Sequence, residues 1–236
     1  MKSRIFISMH YMELGGAEIS LIGLLQAVDY TKYDVDLFIY SHQGELMKFI
    51  PKEVNLLAEN PAYSMIEKPV KEVLKRGFFL IASARIIAKI RTRIYLRKNN
   101  YPDNSIAVFQ YVGNAVTPML PSLKKYGRYD LAISFLTPHN VVLDKVSAKK
   151  KIAWIHTDYS FVDVNPKVEL PIWSAYDNIV SISPDVSKSF LGVFPSLKDK
   201  IVEFENILSP DFVRTRAEEF DAMEEFSGYS GGGEKE

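Results

Sequence analysis

The 236-residue chain contains no cysteine. That removes disulfide bridges, thiolate nucleophiles and sulfur-built zinc sites, and fits a reducing compartment, with the cytosol as the expected location. Nor is there an excess of charge: 29 lysines and arginines stand against 29 aspartates and glutamates, so no overall field draws nucleic acid and none is expected as a partner. No apolar run reaches the roughly 18 residues that a membrane-crossing helix needs. The opening MKSRIFISMHYM starts basic, but its apolar run stops at Met9 and enters a Gly-Gly turn, without the core and cleavage site of a secretory leader. G-x-S-x-G and H-E-x-x-H are both absent, which leaves serine-hydrolase and metalloprotease readings unsupported. The glycine turn also lacks a Walker lysine and the third glycine of a dinucleotide fingerprint, and Tyr40-Ser41-His42 carries no ribose-binding acid.

What is present is a 47% hydrophobic chain, enough to bury one sizeable α/β core. Arg4 to Met9 reads as a strand, Gly15-Gly16 as a turn, and Ala17 to Val28 as a helix apolar on most faces. Val35 to Tyr40 reads as a second strand, Glu45 to Ile50 as a short helix and Val54 to Leu57 as a further strand. A long helical region is expected from Glu67 to Arg97. Asp130 to Phe135, Lys151 to His156 and Asn178 to Ser183 are short apolar runs, each followed by a polar turn and a helix candidate. Strands alternating with helices predict a Rossmann-like, doubly wound parallel sheet in three α/β/α layers. Arg216 to Phe226 changes to an acidic helical stretch and Ser227 to Gly233 has linker composition. The expected division is one Rossmann-like domain over 1–210 and a helix with linker over 211–236 that leads to a further domain.

Ligands of open α/β sheets bind beyond the carboxyl ends of the strands, so the residues after each strand are the candidate site. Gly15 and Gly16 can bring backbone amides to an anion at a helix start, or simply form a tight turn. His156 and Asp158 close the strand ending at Ile155; the histidine can meet a hydroxyl or phosphate, or serve as a structural hydrogen-bonding group. Thr137-Pro138 and Ser183-Pro184 both read as helix caps with proline in the first turn. Residues 68–98 are strongly basic with Phe78 to Ile81 and Ile86-Ile87 interspersed. This segment either lies on an anionic membrane surface or is a solvated helix whose apolar side is in the core.

Gly15-Gly16-Ala17-Glu18, Trp154 to Asp158, Tyr176 to Ser183 and Lys200 to Leu208, taken in order, resemble the N-terminal domain of GT-B glycosyltransferases of the large retaining, family 4-like group. The resemblance implies hexosyl transfer from a UDP- or GDP-sugar, without a metal or other cofactor, to a glycan or lipid-linked acceptor; the basic segment 68–98 would suit a lipid-linked acceptor in surface polysaccharide assembly at the inner face of the membrane. It places Gly15 and Gly16 by the donor phosphates and His156 beside the transferred sugar as the catalytic residue, with Asp158 and Asn206 as further donor contacts. In that family the nucleotide is held by a C-terminal domain with paired glutamates, which nothing after Asn206 matches, so this piece alone is expected to be inactive. The alternative from another class is a non-catalytic α/β sugar-binding module.

Overall fold

The computed structural model describes residues 2–101 and 107–218. Its frame is β1 (Ser3–Met9), α1 (Gly16–Ala27), β2 (Tyr33–Ile39) and the two-residue edge strand β3 (Asn55–Leu56), followed by α2 (Pro61–Ser64), α3 (Val70–Lys75), α4 (Phe79–Asn99) and α5 (Ala107–Val116). The second part alternates regularly: β4 (Arg128–Ser134), α6 (Asn140–Lys145), β5 (Ser147–Ile155), α7 (Pro166–Ser174), β6 (Asn178–Ser181), α8 (Pro184–Val193), β7 (Ile201–Glu203) and α9 (Pro210–Glu218). Every pairing is parallel, in the order β3-β2-β1-β4-β5-β6-β7. This is the Rossmann-like doubly wound sheet that the alternation of strands and helices predicts, with its switch point between β1 and β4.

Both faces of the sheet are covered, unequally. α1 and Phe212 of α9 close one face over Ile7, Met9, Leu37, Ile133 and Trp154, while α2 to α8 close the other over Phe6, Phe38, Tyr129, Ala132 and Ile155. The strands are apolar on both sides because both sides are buried. Alternate residues of one strand therefore feed different cores, and the residue just past each strand end inherits one face or the other.

Three expectations are corrected. The helix expected over Glu67–Arg97 is two helices, because Gly77 at φ 81° ends α3 in the left-handed conformation that glycine adopts without cost. Phe78 N–H then closes on Val73 O at 3.1 Å and Gly77 N–H on Leu74 O at 3.0 Å, a Schellman ending. Thr137 does not cap a helix: His139 is drawn into the core against Ser134 and Trp173, so α6 starts only at Asn140. Residues 107–116, where no element was expected, form α5; its β-branched residues and Gly113 are weak helix formers, and packing against α4 holds them. Ser183 does cap α8, accepting from Val186 N–H at 3.2 Å with Pro184 in the first turn. The acidic stretch beyond Glu218 and the linker Ser227–Gly233 lie outside the described residues.

Candidate functional site

At the switch point, β1 runs into His10 and β4 into Leu136–His139. The loop after β1 is stitched to the loop after β2: Tyr40 N–H donates to Met9 O at 3.0 Å, Ser41 N–H to His10 O at 2.9 Å, Met12 N–H to Gln43 O at 2.9 Å and Leu46 N–H to Met12 O at 2.8 Å. These bonds hold the His10 backbone as firmly as a strand would. Its ring stacks on Tyr40 with centroids 5.0 Å apart, and its Nδ1 is hydrogen-bonded to the Glu67 carboxylate. A carboxylate only accepts, so Nδ1 carries a proton toward Glu67; Nε2 is buried and has no protein partner. Burial pushes the Glu67 carboxyl up, but the bond to His10, with the charges of His10, Arg85 and Lys68, outweighs it and holds the group below its ordinary value.

Two neighbouring cavities of about 370 and about 300 Å³ share His10, Tyr11, Glu67 and Phe109. The larger is walled by Val108 and Val112 of α5 with Arg85 and Lys89 of α4. The smaller has Gln110, Thr137, Thr157, Tyr159 and Glu169. Gln110 Nε2 is buried without a partner. Glu169 takes Trp173 Nε1–H at 3.1 Å and Tyr159 O–H at 3.2 Å, both on Oε2. Burial nonetheless lifts its carboxyl from the ordinary 4.5 to about 7. Apolar and aromatic walls with a few convergent, incompletely satisfied polar atoms suit a ligand rich in hydroxyls.

The expected site residues are divided between the two sides of the sheet. His156 packs on Phe135 at 4.6 Å and stacks along Trp154, on the face covered by α1, and lines neither cavity. Its Nε2 is buried and unpartnered, and burial lowers the imidazole to about 4, so it is neutral at physiological pH. Gly15 and Gly16 start α1 with no side-chain cap, and the carboxylate of Glu18 folds back over Gly15, where a Cβ would fall 2.3 Å from Glu18 Oε2, while a Cβ on Gly16 would meet open space. The group nearest this helix start is thus the chain's own carboxyl, which burial raises above its ordinary value. Asp158 caps the short turn Tyr159–Phe161 through Ser160 N–H at 2.8 Å and Ser160 O–H at 2.7 Å. Asn206 accepts from Ser20 O–H at 2.6 Å and ties the chain after β7 onto α1.

Two solved structures resemble the chain in their course. One is HepE (Alr3699) of Anabaena in complex with UDP-glucose, at 9% identity and TM-score 0.47, covering 92% of this chain and 49% of that one. The other is a glycosyltransferase from Rickettsia africae at 15% identity and TM-score 0.44, with the same coverages. The chain spans about half the length of each. No protein-family model and no curated protein matches it.

Sequence reasoning missed His10, Glu67, Gln110 and Glu169. His10 had a signal, its place immediately after the first strand. Glu67 and Glu169 had none, since each meets the site only through packing. Arg85, counted with the basic surface from sequence, is a correction: it is buried, and its Nη1 donates to Met65 O at 3.1 Å and to Lys68 O, which shapes the turn that carries Glu67. Among the described residues no cluster of side chains suits a metal ion.

Proposed function

We propose that this chain is the N-terminal, acceptor-side half of a GT-B glycosyltransferase that moves a hexosyl group from a UDP- or GDP-sugar to a glycan or lipid-linked acceptor. The carrying observation is one sheet edge that holds both halves of such a site. On one side lie the glycine start of α1 and the neutral, unpartnered His156; on the other lies the cavity ringed by His10, Gln110 and Glu169. The resemblance of Gly15, Gly16 and His156 to family positions adds the donor, with glycine amides at its diphosphate and the imidazole at the transferred sugar. Asp158, after β5, and Asn206, after β7, are proposed as further donor contacts. Both walls of the cleft are needed to exclude water and align the reactants, so the activity belongs to the longer protein.

The test uses the protein at its full natural length against a panel of UDP- and GDP-sugars. Transfer from one donor is expected, and His156→Ala, which removes one hydrogen-bonding group from the sugar, lowers kcat about 100-fold. Donor binding with no transfer or donor hydrolysis would instead identify a sugar-binding module.

The location proposed is the cytoplasmic face of an anionic membrane, with α4 as the contact. No helix among the described residues is long and apolar enough to cross a membrane. Instead Phe79, Leu80, Ile90 and Ile94 are each more than half exposed, and they form one stripe between Lys89, Arg91, Arg93, Arg97 and Lys98 on a helix without a single acidic residue. An outward apolar stripe with basic flanks matches head groups and acyl boundary together. The chain is expected to float with phosphatidylglycerol vesicles and not with phosphatidylcholine ones, and Ile90→Asp with Ile94→Asp abolishes flotation. Equal behaviour on both vesicles removes this contact.

A further inference from the structure

We propose that the smaller cavity holds the sugar of the acceptor, and that Gln110 and Glu169 select an uncharged sugar there over an acidic one. The proposal rests on the glycosyl-transfer reading and deepens it, naming the acceptor class and the residues that choose it.

The polar end of this cavity is held from inside the fold. Gln110 of α5 is 4% exposed, and its Oε1 accepts from Asn165 N–H at 3.2 Å. A backbone N–H must meet the amide oxygen, so the amide has one orientation, and Nε2 with its two hydrogens is the end left buried without a partner. Asn165 is fixed in turn: its Oδ1 accepts from Lys167 N–H at 3.1 Å and its Nδ2 donates to the Tyr111 oxygen at 2.8 Å. Glu169 of α7 is 7% exposed, and Trp173 and Tyr159 both donate to Oε2, which leaves Oε1 free of them. Thr137 after β4 and Thr157 after β5 add hydroxyls to the lining. An amide donor and a carboxyl oxygen in one cavity suit a ligand hydroxyl, because one O–H both gives and takes a hydrogen bond. Phe109, next to Gln110 on α5, is 52% exposed and walls both cavities. Its ring offers an apolar face to the C–H side of a sugar while the sugar's hydroxyls meet the polar end.

Charge decides which sugar. Arg85 and Lys89 line the larger cavity, and no lysine or arginine lines the smaller one. Glu67 lines it, raised by burial but brought below its ordinary value by His10, Arg85 and Lys68. Asp158, between the lining residues Thr157 and Tyr159, is lowered by its bonds from Ser160. Glu169 adds a third negative charge above about pH 7. His10 has its Nδ1–H on Glu67 and so brings no uncompensated positive charge. Tyr11 and Tyr159, both raised by burial, and His139, lowered by burial to about 3, are neutral at physiological pH. The carboxylate of a uronic acid would enter among like charges with no counter-ion, whereas a neutral hexose loses nothing there.

The experiment uses the protein at its full natural length with its active donor. The acceptor probes are the octyl glycosides of glucose, galactose and mannose, beside the octyl uronides of the same sugars. One neutral glycoside is expected to accept, with a KM about 30-fold below that of its uronide at pH 8.5. Gln110→Leu and Phe109→Ala each raise the acceptor KM about tenfold, with donor KM within threefold of the parent. Glu169→Gln cannot ionise. It narrows the uronide-to-glycoside ratio of KM about tenfold at pH 8.5 and leaves it unchanged at pH 5.5, where the parent carboxyl is protonated as well. A packing effect would change the ratio equally at both pH values and would count against the charge. Uronides that accept as well as neutral glycosides, an unchanged ratio in Glu169→Gln at pH 8.5, or donor turnover without transfer to any neutral probe overturns the selection and leaves glycosyl transfer standing. Absence of turnover of every UDP- and GDP-sugar removes the transferase reading and this inference with it.

Discussion

Replacing Gly44 by alanine is expected to lower the unfolding temperature by about 10 °C and to loosen the His10 loop. Gly44 sits at φ 105° and ψ 149°, a region closed to residues with a Cβ. The added Cβ would also fall 2.2 Å from both the carbonyl carbon and oxygen of Met12 and 2.4 Å from Glu13 N. All three are backbone atoms that no side-chain rotation can move. The strained backbone and the overlap together cost on the order of 3–5 kcal/mol, and each kcal/mol moves the midpoint of a chain this size by about 2–4 °C. The loop that must yield is the one hydrogen-bonded through Met12 to Gln43 and Leu46. Amide exchange at Tyr11 to Glu13 should therefore accelerate more than exchange in β5. A variant as stable as the parent would show that the two loops do not depend on this close approach.

The second large effect is a stability difference that appears only at alkaline pH. Glu169 has its folded value raised from 4.5 to about 7 by burial, against the bonds from Trp173 and Tyr159 that lower it. A raised folded value stabilises fully below pH 4.5 and loses that contribution as pH rises through 7. The change corresponds to about 3 kcal/mol. Glu169→Gln keeps an acceptor for Trp173 and cannot ionise. It should unfold about 8 °C above the parent at pH 8.5 and within about 1 °C of it at pH 4.5. Scanning calorimetry at the two pH values decides the point: a gain of the same size at both would mean altered packing, and no gain at pH 8.5 would mean that the carboxyl is not held protonated. His139 and His156 act with the opposite sign. Their depressed values, about 3 and about 4, make the fold lose stability as pH falls below 6.5, where the unfolded chain binds the protons. Glu169→Gln removes the one opposing group of the three, so stability in the variant should rise monotonically with pH from 4 to 7.

Much of the frame was legible in the chain. Apolar runs such as Ile5 to Met9 and Ile152 to Ile155 are strands because both faces of a parallel sheet are buried. Gly15-Gly16 ahead of an apolar helix, and Ser183-Pro184 ahead of another, mark helix starts whose local chemistry suffices to place them. What escaped were the elements that packing decides: α5, with its weak helix formers, and the break at Gly77, where one left-handed residue ends a periodic stretch.

The candidate site divides on the same line. His156 and the glycines were visible because a position just past a strand is a matter of sequence order. Which face His156 joins follows from its parity with Trp154, and that places it away from the cavities. The outward aim of the apolar residues of α4 and the inward aim of Arg85 depended on how α4 lies on α5 and the sheet. The sequence alone determined the alternation of strands and helices, the absence of thiol chemistry and the strand-end positions where a ligand can bind, because these depend on neighbours along the chain. Only the tertiary structure decided that His10 meets Glu67, 57 residues away, and that Glu169 is buried beside Tyr159 and Trp173. Such pairs form where separate crossovers are packed onto one sheet edge, and no local pattern specifies which side chains that packing will bring together.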